Sequence, residues 1–249
     1  RLNTEIKTIK GVSLKKEITG KPGFRTSWSQ QIGTSGDDIG FAVTVDLEGN
    51  IYLAGLTSAG ESGDEKDLFL AKFSPNGFQN WIKQAGFGRS VTAAVLQLKE
   101  STQLRLSAYS QEAASSAVIL ATYKMDGKKI FSKYFELPGT APGNGLTMDK
   151  DGNIFISAAT PFNILKILKS GEKSWGTELS PVLNIRALAV DTENGLYISG
   201  NMKQSLDGKK SKGGTDIFLL KISQQGPKRW SRAFGTAFDE SGTALATKG

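Results

Sequence analysis

The feature that most limits what this chain can become is a recurrence. A short polar turn leading into an apolar strand stands at Asp46-Leu47-Glu48-Gly49-Asn50-Ile51-Tyr52-Leu53. It returns at Asp149-Lys150-Asp151-Gly152-Asn153-Ile154-Phe155-Ile156, and again at Asp191-Thr192-Glu193-Asn194-Gly195-Leu196-Tyr197-Ile198. A degenerate copy runs from Lys99 to Ala108, with Lys99 in place of the Asp. A third apolar run follows each copy, then a Gly-x-x-x-aromatic ending: Gly77/Trp81, Gly127/Phe131, Gly171/Trp175 and Gly226/Trp230. From Trp28 onward the aromatic-to-aromatic spacings are 53, 50, 44 and 55 residues. Short alternating runs separated by Gly, Pro, Asn and Asp read as antiparallel strands joined by hairpins. No stretch holds a helical period between caps.

A period near 50 residues with four strands in each period predicts a β-propeller blade. One blade cannot bury both of its faces, and stacking blades does so. The expectation is therefore an all-β fold, a β-propeller of four-stranded antiparallel blades, forming a single domain over residues 1–249. The repeats are read as approximately 28–81, 81–131, 131–175 and 175–230. The stretch from Trp230 to Lys248 matches Trp28 to Asp46, pairing Gly33-Thr34 with Gly235-Thr236 and Gly40 with Gly242. It offers a first strand, and residues 1–28 offer the remaining strands of a composite closing blade. About five blades are then expected. The alternative is a fragment of a larger ring, commonly seven-bladed.

Composition excludes several chemistries. With no Cys and no His among 249 residues, disulfides, thiolate or imidazole metal sites and a Ser-His-Asp triad are ruled out. No apolar run is long enough to span a bilayer as a helix. The absence of an initiator Met and of a signal peptide suggests a mature or trimmed form. The net charge of +7 is spread along the chain, with one dense cluster at Lys209-Lys210-Ser211-Lys212. Charge blocks usually serve solubility. No aromatic-interleaved basic motif points to nucleic acid.

Residues 28–81 carry Trp28, Gly33, Asp37-Asp38, Ala42-Val43-Thr44-Val45-Asp46, Gly49-Asn50-Ile51-Tyr52, Gly55-Leu56-Thr57, Asp67 to Lys72, Gly77 and Trp81. With these residues the segment resembles the bacterial SBBP β-propeller repeat. Residues 175–230 carry the second half of the pattern in Asp191, Tyr197, Gly200, Asp216, Phe218, Lys221, Gly226 and Trp230. The resemblance implies a bacterial exported protein of the cell envelope or surface, with an undefined function. The Gly-x-x-x-Trp ending also looks like a quinoprotein docking motif. That reading is weaker, because Ala71-Lys72-Phe73 stands where Ala-x-Asp belongs.

Strands alternate in direction, so loops after the second and fourth strands share one face. All length variation falls there: Thr57 to Lys66 is acidic and Lys203 to Lys212 is basic. Binding residues concentrate on such loops. The candidate binding residues on this face are Asp37, Asp38, Asp67, Asp216, Asp239 and Glu240. A carboxylate cluster can hold Ca²⁺; the favoured competing reading is that each acid caps loop amides. Asp149 to Asn153 begins like a calcium loop but lacks the required glycine and terminal acid, so it reads as a turn. The tryptophans read as inter-blade packing rather than ligand platforms. No catalytic residue and no metal ligand set is assigned. The leading expectation is a non-catalytic module that binds a protein or glycan. The alternative is a glycosidase or lyase built on a carboxylate pair, which needs no His.

Overall fold

The structure, a computed structural model, describes residues 28–34, 36–58, 67–84, 87, 91–99, 102–111, 116–137, 145–157, 163–179, 183–208, 210–223 and 225–247. None of them is helical. They form sixteen strands in four antiparallel sheets, each in simple up-and-down order. Sheet 1 holds β1 (Asp38–Val45), β2 (Ile51–Thr57), β3 (Asp67–Phe73) and β4 (Gln79–Gln84). Sheet 2 holds β5 (Val91–Lys99), β6 (Gln103–Gln111), β7 (Ser116–Lys124) and β8 (Lys129–Leu137). Sheet 3 holds β9 (Leu146–Met148), β10 (Ile154–Ser157), β11 (Ile164–Ile167) and β12 (Lys173–Thr177). Sheet 4 holds β13 (Leu183–Val190), β14 (Leu196–Met202), β15 (Asp216–Ile222) and β16 (Lys228–Phe234). The chain divides into two compact units, Arg1–Leu106 with Thr122–Phe131, and Ser107–Ala121 with Ser132–Gly249.

The hairpins obey one rule. At Asp46, Ser74, Lys124, Asp149, Leu168, Asp191 and Ser223 the turn closes with two backbone bonds. The N–H three residues on donates to the turn's first carbonyl, and the first N–H donates to the carbonyl four residues on. This is a type I turn with a left-handed residue at its end. Glycine fills that place at Gly77, where φ is 80°. At the sheet 4 turn the place is taken by Asn194 at φ 61°, the side chain best able to adopt it after glycine.

Two bulges recur. In β1 the register shifts between Gly40 and Ala42, and in β13 between Ile185 and Ala187. The partner strand carries a glycine opposite each, for a steric reason. A Cβ on Gly55 would lie 2.4 Å from the Ile39 carbonyl oxygen, and one on Gly200 would lie 2.0 Å from that of Asn184. The Gly-x-Thr motif of the first repeat is therefore a close-approach site for backbone.

Each unit has its own apolar core. In the first, Phe69, Ala71 and Phe73 pack with Ile32, Ile51, Leu53 and Ile82. In the second, Phe155 and Ile164 of sheet 3 meet Leu188, Leu196, Ile198 and Phe218 of sheet 4, with Leu179 at the margin. The stretch at 28–34 has no strand assignment. It lies on sheet 1 much as β12 and its extension lie on sheet 4: Trp28 touches Gly77 as Trp175 touches Gly226, and Ile32 joins its core as Leu179 joins the other.

One repeat position differs from the expected pattern. Phe131 is 43% exposed, and Phe135 packs on the turn at Gly171. Strand β8 runs nine residues, so an aromatic four positions further on reaches that turn. The expected closing blade falls partly outside the described residues, which begin at 28. Of its other part, 230–249, residues 230–234 belong to β16 and 235–247 carry no strand assignment. No helix among the described residues is long and apolar enough to cross a membrane.

Candidate functional site

The turn aspartates come first, because they look most like ligands in the sequence. Asp149 Oδ1 accepts the N–H of Asp151 at 3.0 Å and of Asn153 at 2.8 Å, and Oδ2 accepts the Asn153 side-chain amide at 2.8 Å. Asp46 accepts Asn50 N–H at 2.7 Å, the Asn50 amide at 2.9 Å and the Tyr52 hydroxyl at 2.9 Å. Each carboxylate thus organises its own hairpin.

These aspartates belong to a row that the sequence reading did not assemble. Direct cross-strand pairing aligns Tyr52, Lys72 and Trp81 in sheet 1. It aligns Phe155, Lys166 and Trp175 in sheet 3, and Tyr197, Lys221 and Trp230 in sheet 4. In each row the lysine Nζ lies over the first aromatic ring, at 5.1, 5.1 and 4.6 Å from its centre. The tryptophan ring meets the same aromatic at 6.3, 6.0 and 6.0 Å. The signal was present in the sequence as a lysine five residues after each of Asp67 and Asp216, but only strand register shows what it faces.

The electrostatics follow. Burial alone would push the Asp46 carboxyl up, but bonds from Asn50 and Tyr52 and the Lys72 charge hold it below the usual carboxylate range. Burial, followed by the bond to Asp46, pushes the Tyr52 hydroxyl up. In sheet 4, Lys221 Nζ donates to Tyr197 Oη at 2.8 Å and to Asp191 Oδ2 at 2.9 Å. Those two bonds raise the lysine. At Asp191 burial again works upward and is outweighed by Lys221 and the Gly195 N–H, so its carboxyl is lowered. A tyrosine hydroxyl hydrogen-bonded to a lysine resembles catalytic machinery. Here both are locked between strands, and we assign the row to packing.

The six candidate loop residues are distributed as follows. In the first unit, Asp38 accepts Thr34 N–H at 2.6 Å and the Thr34 hydroxyl at 3.2 Å. Asp37 uses its backbone, donating N–H to Ser58 Oγ at 2.6 Å and accepting Ser58 N–H at 2.9 Å. Asp67 begins β3, opposite Thr57. In the second unit, Glu240 repeats the Asp38 arrangement, accepting Thr236 N–H at 3.1 Å and the Thr236 hydroxyl. Asp216 is 1% exposed and accepts Lys212 N–H at 2.8 Å. Its other oxygen is buried without a hydrogen-bond partner among the described residues. Asp239 lies beside Gly214. Among the described residues no three acidic side chains gather closely enough to share a metal ion.

The same loop face carries a cavity of about 440 Å³ in sheet 4, lined by Asn184, Arg186, Asn201, Lys203, Gln204 and Thr215. Arg186 is the extra residue of the β13 bulge, and bulges re-aim side chains. Asn184 and Asn201 face each other across β13 and β14. Asn201 is held by the C-terminal segment: its Oδ1 accepts Gly242 N–H at 3.1 Å and its Nδ2 donates to Ser241 Oγ at 3.2 Å. Glu240 N–H donates to Thr215 O at 2.7 Å. A second cavity, about 300 Å³, includes Glu178 and Asp207 in its lining. The Asp207 carboxylate is engaged by the Ser231 hydroxyl.

Comparison with known proteins places this geometry. Residues 27–60 match the model of SBBP, a beta-propeller repeat. The fold is similar to that of a protein of unknown function from Bacteroides caccae, with a TM-score of 0.50 and 12% identity over 84% of this chain and 87% of that one. A virginiamycin B lyase from Staphylococcus aureus is similar with a TM-score of 0.46 and 13% identity; 78% of this chain spans 58% of the lyase. No curated protein matches the chain. The fold is all-β, with four propeller blades among the described residues.

Proposed function

We propose that this protein is a non-catalytic binding module that holds a glycan through the loop face of sheet 4. One observation carries the reading: the 440 Å³ cavity there is lined by hydrogen-bonding and cationic side chains. That volume lies within the range of about 300–1,000 Å³ usual for ligand pockets. The competing glycosidase or lyase reading needs two available carboxylates. Asp38, Asp216 and Glu240 instead receive loop amides. A place at the bacterial cell envelope is proposed on the resemblance of residues 28–81 to the SBBP repeat alone, which implies an exported protein.

The discriminating experiment incubates the protein with a panel of soluble polysaccharides and measures both saturable binding and the release of new chain ends. Binding without release, lost when Asn184 and Asn201 are replaced by the Ile and Leu of the sheet 1 equivalents, is the expected result. Turnover above the blank would replace this reading with the enzymatic one.

We also propose that residues 1–28 and 230–249 supply a composite closing blade. Support comes from each unit separately. In the first, Trp28 and Ile32 hold the place of an outer strand, while Val43 and Val45 of β1 are 63% and 55% exposed. Leu188, the sheet 4 equivalent of Val43, is 7% exposed. In the second unit, residues 240–247 run along sheet 4, with Thr247 Oγ1 donating to Val190 O at 2.8 Å.

A further inference from the structure

Building on that binding reading, we infer that the sheet 4 cavity is a site for an acidic sugar, one bearing a carboxylate or a sulfate ester. The first argument is the departure from the repeat. Aligned on their bulges, β1 and β13 place Ile39 opposite Leu56 in sheet 1 and Asn184 opposite Asn201 in sheet 4. The bulge residue is Phe41 in one and Arg186 in the other. Ser58, which closes the sheet 1 loop by bonding Asp37, corresponds to Lys203. Apolar scaffold positions have thus become amide and cationic positions at one place, while the turn aspartate, the lysine row and the bulge glycine are retained.

The second argument is charge. Arg186 and Lys203 make no ion pair or hydrogen bond among the described residues, and no carboxylate lines the cavity among them. The nearest acid in sequence, Asp216, packs against Gly235 and receives the Lys212 amide. Lys210 and Lys212 lie exposed on the same long loop. Two unpaired cations on one cavity wall favour an anion, and the guanidinium fork suits a carboxylate or sulfate in bidentate geometry.

The third argument is the character of the lining. Asn184, Gln204 and Thr215 supply donors and acceptors suited to hydroxyl groups. No aromatic ring lines the cavity among the described residues, which disfavours a nucleobase, since bases bind by stacking. The tether from Asn201 to residues 241–242 fixes one wall before any ligand arrives, reducing the ordering cost of binding.

The test is calorimetric titration of the full chain at low salt with four probes: trigalacturonate, its methyl ester, chondroitin 4-sulfate disaccharide and a single-stranded oligonucleotide. Expected is saturable binding of trigalacturonate, or of the sulfated disaccharide, which bears both a uronate carboxylate and a sulfate; binding of the disaccharide without trigalacturonate assigns the sulfate. The methyl ester should bind at least about tenfold more weakly. Arg186→Gln and Lys203→Gln should each cost about five- to tenfold, while Lys169→Gln, on the opposite turn face, should leave binding unchanged. Equal binding of acid and ester would overturn the acidic-sugar assignment and leave the binding-module reading standing. No binding of any sugar would overturn both. Oligonucleotide binding as tight as that of the sugars, or loss on Lys169→Gln, would mark a diffuse polyanion surface and overturn the site. Circular dichroism of each variant separates lost binding from lost folding.

Discussion

A single swap of neighbouring residues rewires one turn. Sheet 1 reads Gly49-Asn50 and sheet 4 reads Asn194-Gly195. Asn50 satisfies the second oxygen of Asp46. Gly195 has no side chain, and Lys221 takes the vacated place: a Cβ at 195 would lie 2.7 Å from Lys221 Cε. Replacing Gly195 with Asn should therefore displace Lys221 from Asp191, and a crystal structure of the variant should show the amide bonded there instead. Tyr52→Phe removes the hydroxyl bond to Asp46, with a ring that Phe155 shows to be tolerated in sheet 3. A hydrogen bond to a charged group contributes about 1.5–3 kcal/mol. Because Asp46 keeps both Asn50 bonds, a loss of about 1.5 kcal/mol is expected, read from denaturant midpoints. Gly77→Ala should cost more, since the new Cβ would lie 2.4 Å from the Trp28 ring at a φ of 80°.

At the scale of the strand, the lysine row sets a pH dependence. The lowered Asp191 carboxyl contributes stability that is present above its unfolded pKa and lost as pH falls through its folded value. The raised Lys221 contributes stability that is present below its unfolded pKa and lost as pH rises through its folded value. Thermal midpoints should thus fall at both ends. The Lys221→Met variant should show a flatter profile on the alkaline side and a smaller loss on the acid side. An unchanged alkaline limb would show that the row does not couple to folding. Strands, turns and repeat length were legible because period-two patterning and turn glycines are local signals. The row was not, because its members lie on three strands and meet only through register. Phe131 closes the Gly-to-aromatic spacing, yet Phe135 packs on the Gly171 turn, for a related reason: the extra length of β8 cannot be counted from that spacing. The loop acids could be named from the sequence, but their partners could not. Whether a carboxylate meets a metal or a threonine amide depends on loop path.

For the molecule as a whole, the apolar face of β1 should control stability. Val43 and Val45, on the face shared with Ile51 and Leu53, are 63% and 55% exposed, where a blade is expected to cover them. Deleting residues 1–27 should lower the melting temperature and increase binding of an apolar dye. For a protein of this size each 1 kcal/mol corresponds to about 2–4 °C. An unchanged melting temperature would show that this segment does not cover β1. The proposed binding cavity sits in sheet 4, and residues 240–242 hold its lining residues Asn201 and Thr215, so ending the chain at residue 239 should weaken sugar binding more than it weakens folding.

The seam tryptophans make the protein its own optical probe. Trp28, Trp81 and Trp175 each lie on a turn glycine, at Gly77, Gly127 and Gly226, and Phe135 shows at Gly171 that phenylalanine can fill the same place. Variants that keep one indole and carry Phe at the other three would each emit from one seam alone. Coincident emission midpoints would mean that the sheets unfold as one cooperative body. Staggered midpoints would rank the seams by strength and show where opening begins, as expected when each repeat leans mainly on its neighbours.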